Sequence, residues 1–251
     1  MSKLKILLFV IVSLLVVTGF IKSSKAELEI NDTVVKPKFH VDSKENMQGI
    51  AYSNGHMYIG FDIGKDRGRI RQYTLTGKLV KTTAPLKTGH TAELDVRNKN
   101  GRLYVANGGG KNPLKIHEVD VSKNKITDTL HLDNLGNSGL LAVDNDRDRL
   151  IIHSAKNDKG TPLFSITDFN GKILKQFKIP YQGVPQGLEH HNGKIYFYTN
   201  SKITVIDEKG NILKTHKLKI KGESQGITVV DDKKPYIAVA YDEPHRIFEL
   251  K

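Results

Sequence analysis

Past its first two dozen residues the chain is written in short apolar runs separated by turn residues, with apolar and polar positions alternating in the later runs of each repeat, and no stretch of a dozen residues repeats at the helical spacing without a Gly or Asn-Gly break. The pattern predicts strands throughout and argues against a mixed α/β fold. One motif recurs five times: Met47-Gln48-Gly49-Ile50-Ala51, Thr91-Ala92-Glu93-Leu94-Asp95, Asn137-Ser138-Gly139-Leu140-Leu141, Pro185-Gln186-Gly187-Leu188-Glu189 and Ser224-Gln225-Gly226-Ile227-Thr228. The aligned positions Gly49, Glu93, Gly139, Gly187 and Gly226 are 44, 46, 48 and 39 residues apart, the period of one propeller blade.

Each copy is followed by a turn and a second apolar run, as in Asn54-Gly55 before Met57-Tyr58-Ile59, Asn100-Gly101 before Leu103-Tyr104-Val105 and Asn192-Gly193 before Ile195-Tyr196-Phe197. Asn-Gly between apolar runs marks a tight hairpin. Third strands are expected at Arg69 to Thr74, Lys115 to Val121, Phe164 to Phe169, Lys202 to Asp207 and Arg246 to Leu250, followed by lysine-rich fourth strands. The fifth copy stops after its third strand, while Asp32 to Val41 precedes the first copy and reads as an orphan fourth strand. The reading is therefore an all-β fold: one five-bladed β-propeller closed by its N-terminal strand, a closure that removes free sheet edges.

The start of the chain is different. Lys3 and Lys5 precede an uncharged apolar run from Ile6 to Phe20 and a small-x-small site, Ser24-Lys25-Ala26. This predicts a signal peptide over residues 1–26 and a propeller domain over residues 27–251, with a secreted or cell-surface product. A 15-residue run is short for a membrane span. Losing Lys3, Lys5, Lys22 and Lys25 with the segment lowers the formal charge from +12 to +8, still basic enough to favour anionic surfaces. Wall polymers are the expected partners; peripheral membrane contact is the secondary expectation, and nucleic acid is not expected. The absence of cysteine excludes disulfides, a thiol nucleophile, a Cys-ligated metal and a lipobox anchor.

In such a blade the motif and the loop between the second and third strands share one face. The strand starts then converge on the mouth of the central channel, bringing Gln48, Glu93, Ser138, Gln186 and Gln225 together with His90 and Glu189. A ring of amides, hydroxyl, carboxyls and imidazole suits a polyhydroxylated or phosphorylated ligand, although glutamines at strand starts can equally cap a neighbouring blade's backbone. Were the site catalytic, Glu93, His90 and Glu189 are the acid or base candidates. No cofactor is expected, calcium held between Glu93 and Glu189 being the one candidate. Asp144-Asn145-Asp146-Arg147-Asp148 lacks the glycine and distal Glu of a calcium loop and reads as a solvated hairpin, and Gly108-Gly109-Gly110-Lys111-Asn112 reads as loop glycine rather than a phosphate loop. Lysines 78, 81, 172, 175, 178, 214, 217, 219 and 221 fall on outer strands, where charge blunts lateral association.

The stretch from Thr88-Gly89-His90-Thr91-Ala92-Glu93-Leu94-Asp95 into Gly101-Arg102-Leu103-Tyr104-Val105-Ala106, with the Gln-Gly-Ile/Leu strand starts, resembles the propeller family shared by teichoic acid biosynthesis protein C, staphylococcal phage receptor-binding proteins and helveticin-type bacteriocins. That resemblance implies five blades and attachment to, or work on, Gram-positive surface polymers. The Gln-Gly-Leu starts are also similar to plant-type glutaminyl cyclases, but the Trp-bearing blade motifs of those enzymes are missing from a chain without tryptophan. The leading expectation is a non-enzymatic, exported binder of a cell-envelope glycan or anionic polymer. The alternatives are an exported cyclotransferase or lyase using the channel-mouth carboxyls, and a scaffold that docks other proteins.

Overall fold

The computed structural model describes residues 28, 30, 35–157, 159–231 and 234–250; the predicted signal segment and the start of the N-terminal strand lie outside the described residues. The chain is a five-bladed β-propeller. Blade 1 is β2 (Asn46–Ser53), β3 (His56–Asp62), β4 (Gly68–Thr74) and β5 (Leu79–Thr82); blade 2 is β6 (Glu93–Arg97), β7 (Arg102–Ala106), β8 (Lys115–Asp120) and β9 (Lys125–His131). Blade 3 is β10 (Asn137–Asp144), β11 (Arg149–Ala155), β12 (Leu163–Thr167) and β13 (Ile173–Lys178); blade 4 is β14 (Pro185–His191), β15 (Lys194–Thr199), β16 (Lys202–Asp207) and β17 (Ile212–Lys217). Blade 5 takes β18 (Glu223–Val230), β19 (Tyr236–Asp242) and β20 (Arg246–Leu250) from the C-terminal end and β1 (Val35–His40) from the N-terminal end.

That last pairing is the predicted closure. β1 runs antiparallel to β20 from Val35 opposite Leu250 to His40 opposite Arg246, and the Val41 N–H adds a bond of 3.0 Å to the His245 carbonyl. Phe39 anchors the strand by packing toward the Tyr73 ring of blade 1, with centroids 6.1 Å apart. The first and last parts of the described chain are thus tied through both a sheet and a core.

Five apolar clusters fill the five interfaces between neighbouring blades. This explains why inner strands read as continuous apolar runs: in β10, Leu141 and Val143 pack toward blade 2 while Leu140 and Ala142 pack toward blade 4, so both faces of the strand are buried. Each fully buried Leu or Ile side chain contributes about 1.5–3 kcal/mol relative to exposure. Only the outer strands keep an exposed face; Lys81, Lys175, Lys178, Lys214 and Lys217 lie on them as expected, whereas Lys78, Lys172, Lys219 and Lys221 fall in the segments just before or after them. Asp144 to Asp148 turns from β10 into β11, the hairpin expected from its sequence.

Candidate functional site

The glycines of the repeat make the channel narrow. A Cβ at Gly226 would lie 2.4 Å from the Ile50 nitrogen and 2.8 Å from the Gly49 Cα, and a Cβ at Gly187 would lie 2.9 Å from the Ile227 nitrogen. Inner strands therefore approach backbone to backbone at this level, which only a residue without a side chain permits. A bulge accompanies the motif in four blades, where the register shifts at Met47/Ile50, Asn137/Leu140, Pro185/Gly187 and Ser224/Ile227. β6, where glutamate replaces glycine, pairs with β7 without a shift.

Glu93 fills the space that the other glycines leave. Its side chain is fully buried; Oε1 accepts the Leu94 N–H at 3.1 Å and Oε2 accepts the Leu188 N–H of blade 4 at 2.8 Å. Two further carboxyls repeat this across the channel. Asp95 takes the N–H groups of Val96 and Val143, both at 2.6 Å, and Glu189 takes those of His190 and Val229, both at 2.7 Å, plus the Thr228 hydroxyl at 3.0 Å. Burial drives the pKa of Glu93 and Glu189 well up and that of Asp95 to about 7, the neighbouring Asp95 adds to the rise in both glutamates, and the backbone bonds oppose it.

A pH dependence follows. Because the folded pKa of Asp95, about 7, exceeds the unfolded value of about 4, the folded state holds a proton that the unfolded state has lost, so this group's contribution is fully present below pH 4 and is lost as pH rises through 7. Burial lowers the pKa values of His117, to about 4, and His190, so those groups act in the opposite direction. The clean measurement is therefore a difference: in urea unfolding, wild type is expected to exceed Asp95→Asn in stability by more at pH 5 than at pH 8. A pH-independent gap would refute the buried, proton-holding role.

The carboxyl layer separates two mouths. On the face where inner strands start, a cavity of about 290 Å³ is lined by Gln48, His90, Ser138, Gln186 and Gln225, as the sequence predicts, together with Asn46, Glu223 and the loop glycines Gly109 and Gly110. Gln48 and Gln225 are 7% and 4% exposed, yet with Gln186 they make no side-chain hydrogen bond to the described residues, so they do not cap a neighbouring blade. His90 is oriented by Asp62, with Nδ1 2.7 Å from Oδ2, and not by Glu93.

Glu189 corrects the expectation. It lies past the bulge, three residues along β14 from Gln186, and opens on the opposite mouth, a cavity of about 400 Å³ that Asp95, Asp144, Asp146 and His191 also line. Glu93 lines neither cavity and Glu189 the far one, and each of their four carboxyl oxygens accepts a backbone N–H. At the rim of this second mouth Asp144, His190 and Glu208 bring possible ligand atoms within 4.8 Å of one another. Arg149 donates to Asp144 at 2.6 Å and to Glu208 at 3.0 Å, with Arg147 also on Glu208, so the two acids are already neutralised in a bridge between blades 3 and 4. Nothing in the repeat motif points to this mouth, which follows from where the hairpins end.

No protein-family model matches the chain, and no curated protein matches it in sequence. Solved structures do. The glutaminyl cyclase of Myxococcus xanthus superposes with a TM-score of 0.65 at 16% identity, covering 89% of this chain and 95% of that one. The tail fiber of Staphylococcus aureus phage P68 gives 0.62 at 15% identity over 89% of this chain, which spans about half (54%) of the fiber chain. Virginiamycin B lyase from Staphylococcus aureus gives 0.51 at 16% identity over 87% of this chain and 99% of that one. At these identities the likeness establishes the fold, a propeller shared by enzymes and by a phage fiber.

Proposed function

We propose that this protein is an exported, non-enzymatic propeller that binds a glycan or anionic polymer of the cell envelope at the mouth formed by Gln48, His90, Ser138, Gln186 and Gln225. The observation that carries the reading is the set of three glutamine amides, two of them largely buried, that find no partner within the described protein. Their amide atoms are not among the buried polar atoms left without a partner, so they open on the cavity, where they bond water that a ligand can replace. Amides that both donate and accept match sugar hydroxyls, which do the same. The N-terminal signal pattern and the basic charge are consistent with export to an anionic surface.

Retention of the purified protein on isolated cell walls tests this. Gln186→Ala combined with Gln225→Ala is expected to weaken retention at least tenfold at both low and high salt. Binding that the double variant keeps, or that disappears only with salt, would discard the mouth as the site. Retention that survives digestion of the wall glycan would favour a docked protein instead.

A second reading rests on Glu93, whose raised pKa beneath the mouth is what a general acid needs. The likeness to a glutaminyl cyclase names one assay: cyclisation of peptides with N-terminal glutamine. Turnover abolished by Glu93→Gln would replace the binding reading with this one. Against it, both oxygens of Glu93 are engaged and the side chain has no exposure.

A further inference from the structure

Beside the mouth, on the same face, lies a second cavity of about 490 Å³ between the β3–β4 and β7–β8 loops, and its lining is basic. Lys65, Arg67, Lys87 and Lys115 contribute four cations against one acid, Asp66, and His117 and Asn107 supply neutral hydrogen-bonding groups. We propose that this cleft binds phosphate groups of the ligand whose neutral portion occupies the channel mouth, so that the polymer recognised is a phosphate-bearing one. The inference rests on the reading of the mouth as a glycan site and names the chemistry that extends from it.

The first support is that the cations are uncommitted. Seven of the eight arginines, Arg69, Arg71, Arg97, Arg102, Arg147, Arg149 and Arg246, bond to a carboxylate or a backbone carbonyl. Arg67 has no side-chain partner among the described residues, and Lys65, Lys87 and Lys115 likewise have no carboxylate partner there. An arginine fork beside several ammonium groups matches a tetrahedral oxyanion better than a single carboxylate, because it places donors on several oxygens at once.

The second support is the loop that presents Lys65 and Arg67. Gly64, Lys65 and Asp66 follow one another at φ of 74°, 55° and 55°, so two residues with side chains are held in the left-handed region. Such conformations persist where the surroundings impose them. Here Asp62 does so with both oxygens: Oδ1 accepts the Gly64 N–H at 2.7 Å and Oδ2 holds His90 of the mouth at 2.7 Å. The backbone adds a bond of 3.3 Å from the Gly89 N–H to the Asp66 carbonyl and one of 3.0 Å from the His90 N–H to Asn107. Asn107 in turn accepts the Lys115 N–H at 2.8 Å. Cleft and mouth therefore share a wall, and one extended ligand can span both. His117 meets Thr129 at 2.9 Å and stays neutral near pH 7 because burial lowers its pKa to about 4, so it serves the floor as a hydrogen-bonding group.

The test measures binding of a glycerol phosphate oligomer, an uncharged oligosaccharide of the wall, inorganic phosphate and phosphatidylglycerol vesicles to the full chain. Proteins compared are wild type, Arg67→Gln with Lys87→Gln, and a control with Lys175→Gln and Lys214→Gln on outer strands. The residues changed are exposed, so folding is expected to survive. The cleft variant is expected to bind the glycerol phosphate oligomer at least tenfold more weakly with a shallower salt dependence, to keep its affinity for the uncharged oligosaccharide, and to differ from the control, which stays near wild type. Equal losses in both variants would reduce the cleft to general charge and overturn the inference. Wild type binding the uncharged sugar but no phosphate compound would overturn it while leaving the mouth intact, and binding of neither would remove both readings. Tighter binding to vesicles than to the oligomer or free phosphate would assign the phosphate to lipid headgroups and overturn the polymer assignment.

Discussion

Gly226→Ala is expected to lower stability by about 4 kcal/mol or more, roughly a 10 °C fall in melting temperature for a chain of this size. The added Cβ would meet the Ile50 nitrogen at 2.4 Å and the Gly49 Cα at 2.8 Å, atoms of the neighbouring inner strand's backbone that no rotamer change can move aside. Relief requires blades 5 and 1 to separate, which opens the apolar layer holding Met47, Phe61, Ala240 and Ile247 and strains the closure by β1. Gly193→Ala is the matched control. That glycine sits in the β14–β15 turn at φ +71° with nothing within 4 Å of a Cβ, so its loss is limited to backbone strain of about 1 kcal/mol. Calorimetry of the two variants decides the matter, and equal shifts would show that the channel waist can dilate.

Glu93→Ala is the second large effect, expected at about 3–5 kcal/mol. It empties the channel waist and leaves the N–H groups of Leu94 and Leu188 without their acceptors. Glu93→Gln keeps the volume but turns an NH2 group toward one of those two donors, so a loss of about 1–3 kcal/mol is expected, between Ala and wild type. Urea midpoints that ranked Gln below Ala would contradict the acceptor role. The same geometry shapes any functional test with Glu93→Gln: binding should be measured where the variant is fully folded, since lost activity and lost structure otherwise look alike.

Much of this architecture was legible in the repeat. Five copies at steps of 39 to 48 residues, each followed by further strand-like runs and no helical periodicity, point to four-stranded units in a ring, and a missing fourth strand at one end with a spare strand at the other specifies how the ring closes. The mouth residues were legible as well, because strand starts converge by symmetry: Gln48, Ser138, Gln186 and Gln225 line one cavity with His90. Glu189 was misplaced. Counting residues along a strand does not reveal that a bulge at Pro185/Gly187 and the depth of the channel carry its carboxyl to the far mouth. Nor does spacing reveal that His90 leans on Asp62, 28 residues away on another blade. The basic cleft is not legible for a related reason: Lys65 and Arg67 come from one blade and Lys115 from the next, and nothing in their order shows that acids and backbone carbonyls have engaged the other arginines and left Arg67 alone.

The all-β class, the number of blades, the strand order and the face on which the motifs gather can all be read along the chain, because these follow from periodicity and from the short range over which a hairpin forms. The tertiary structure alone decided which polar groups are free. Whether a glutamine or an arginine awaits a ligand depends on partners brought in from other blades, and whether Glu93 is a reagent or a plug depends on backbone donors up to 95 residues distant.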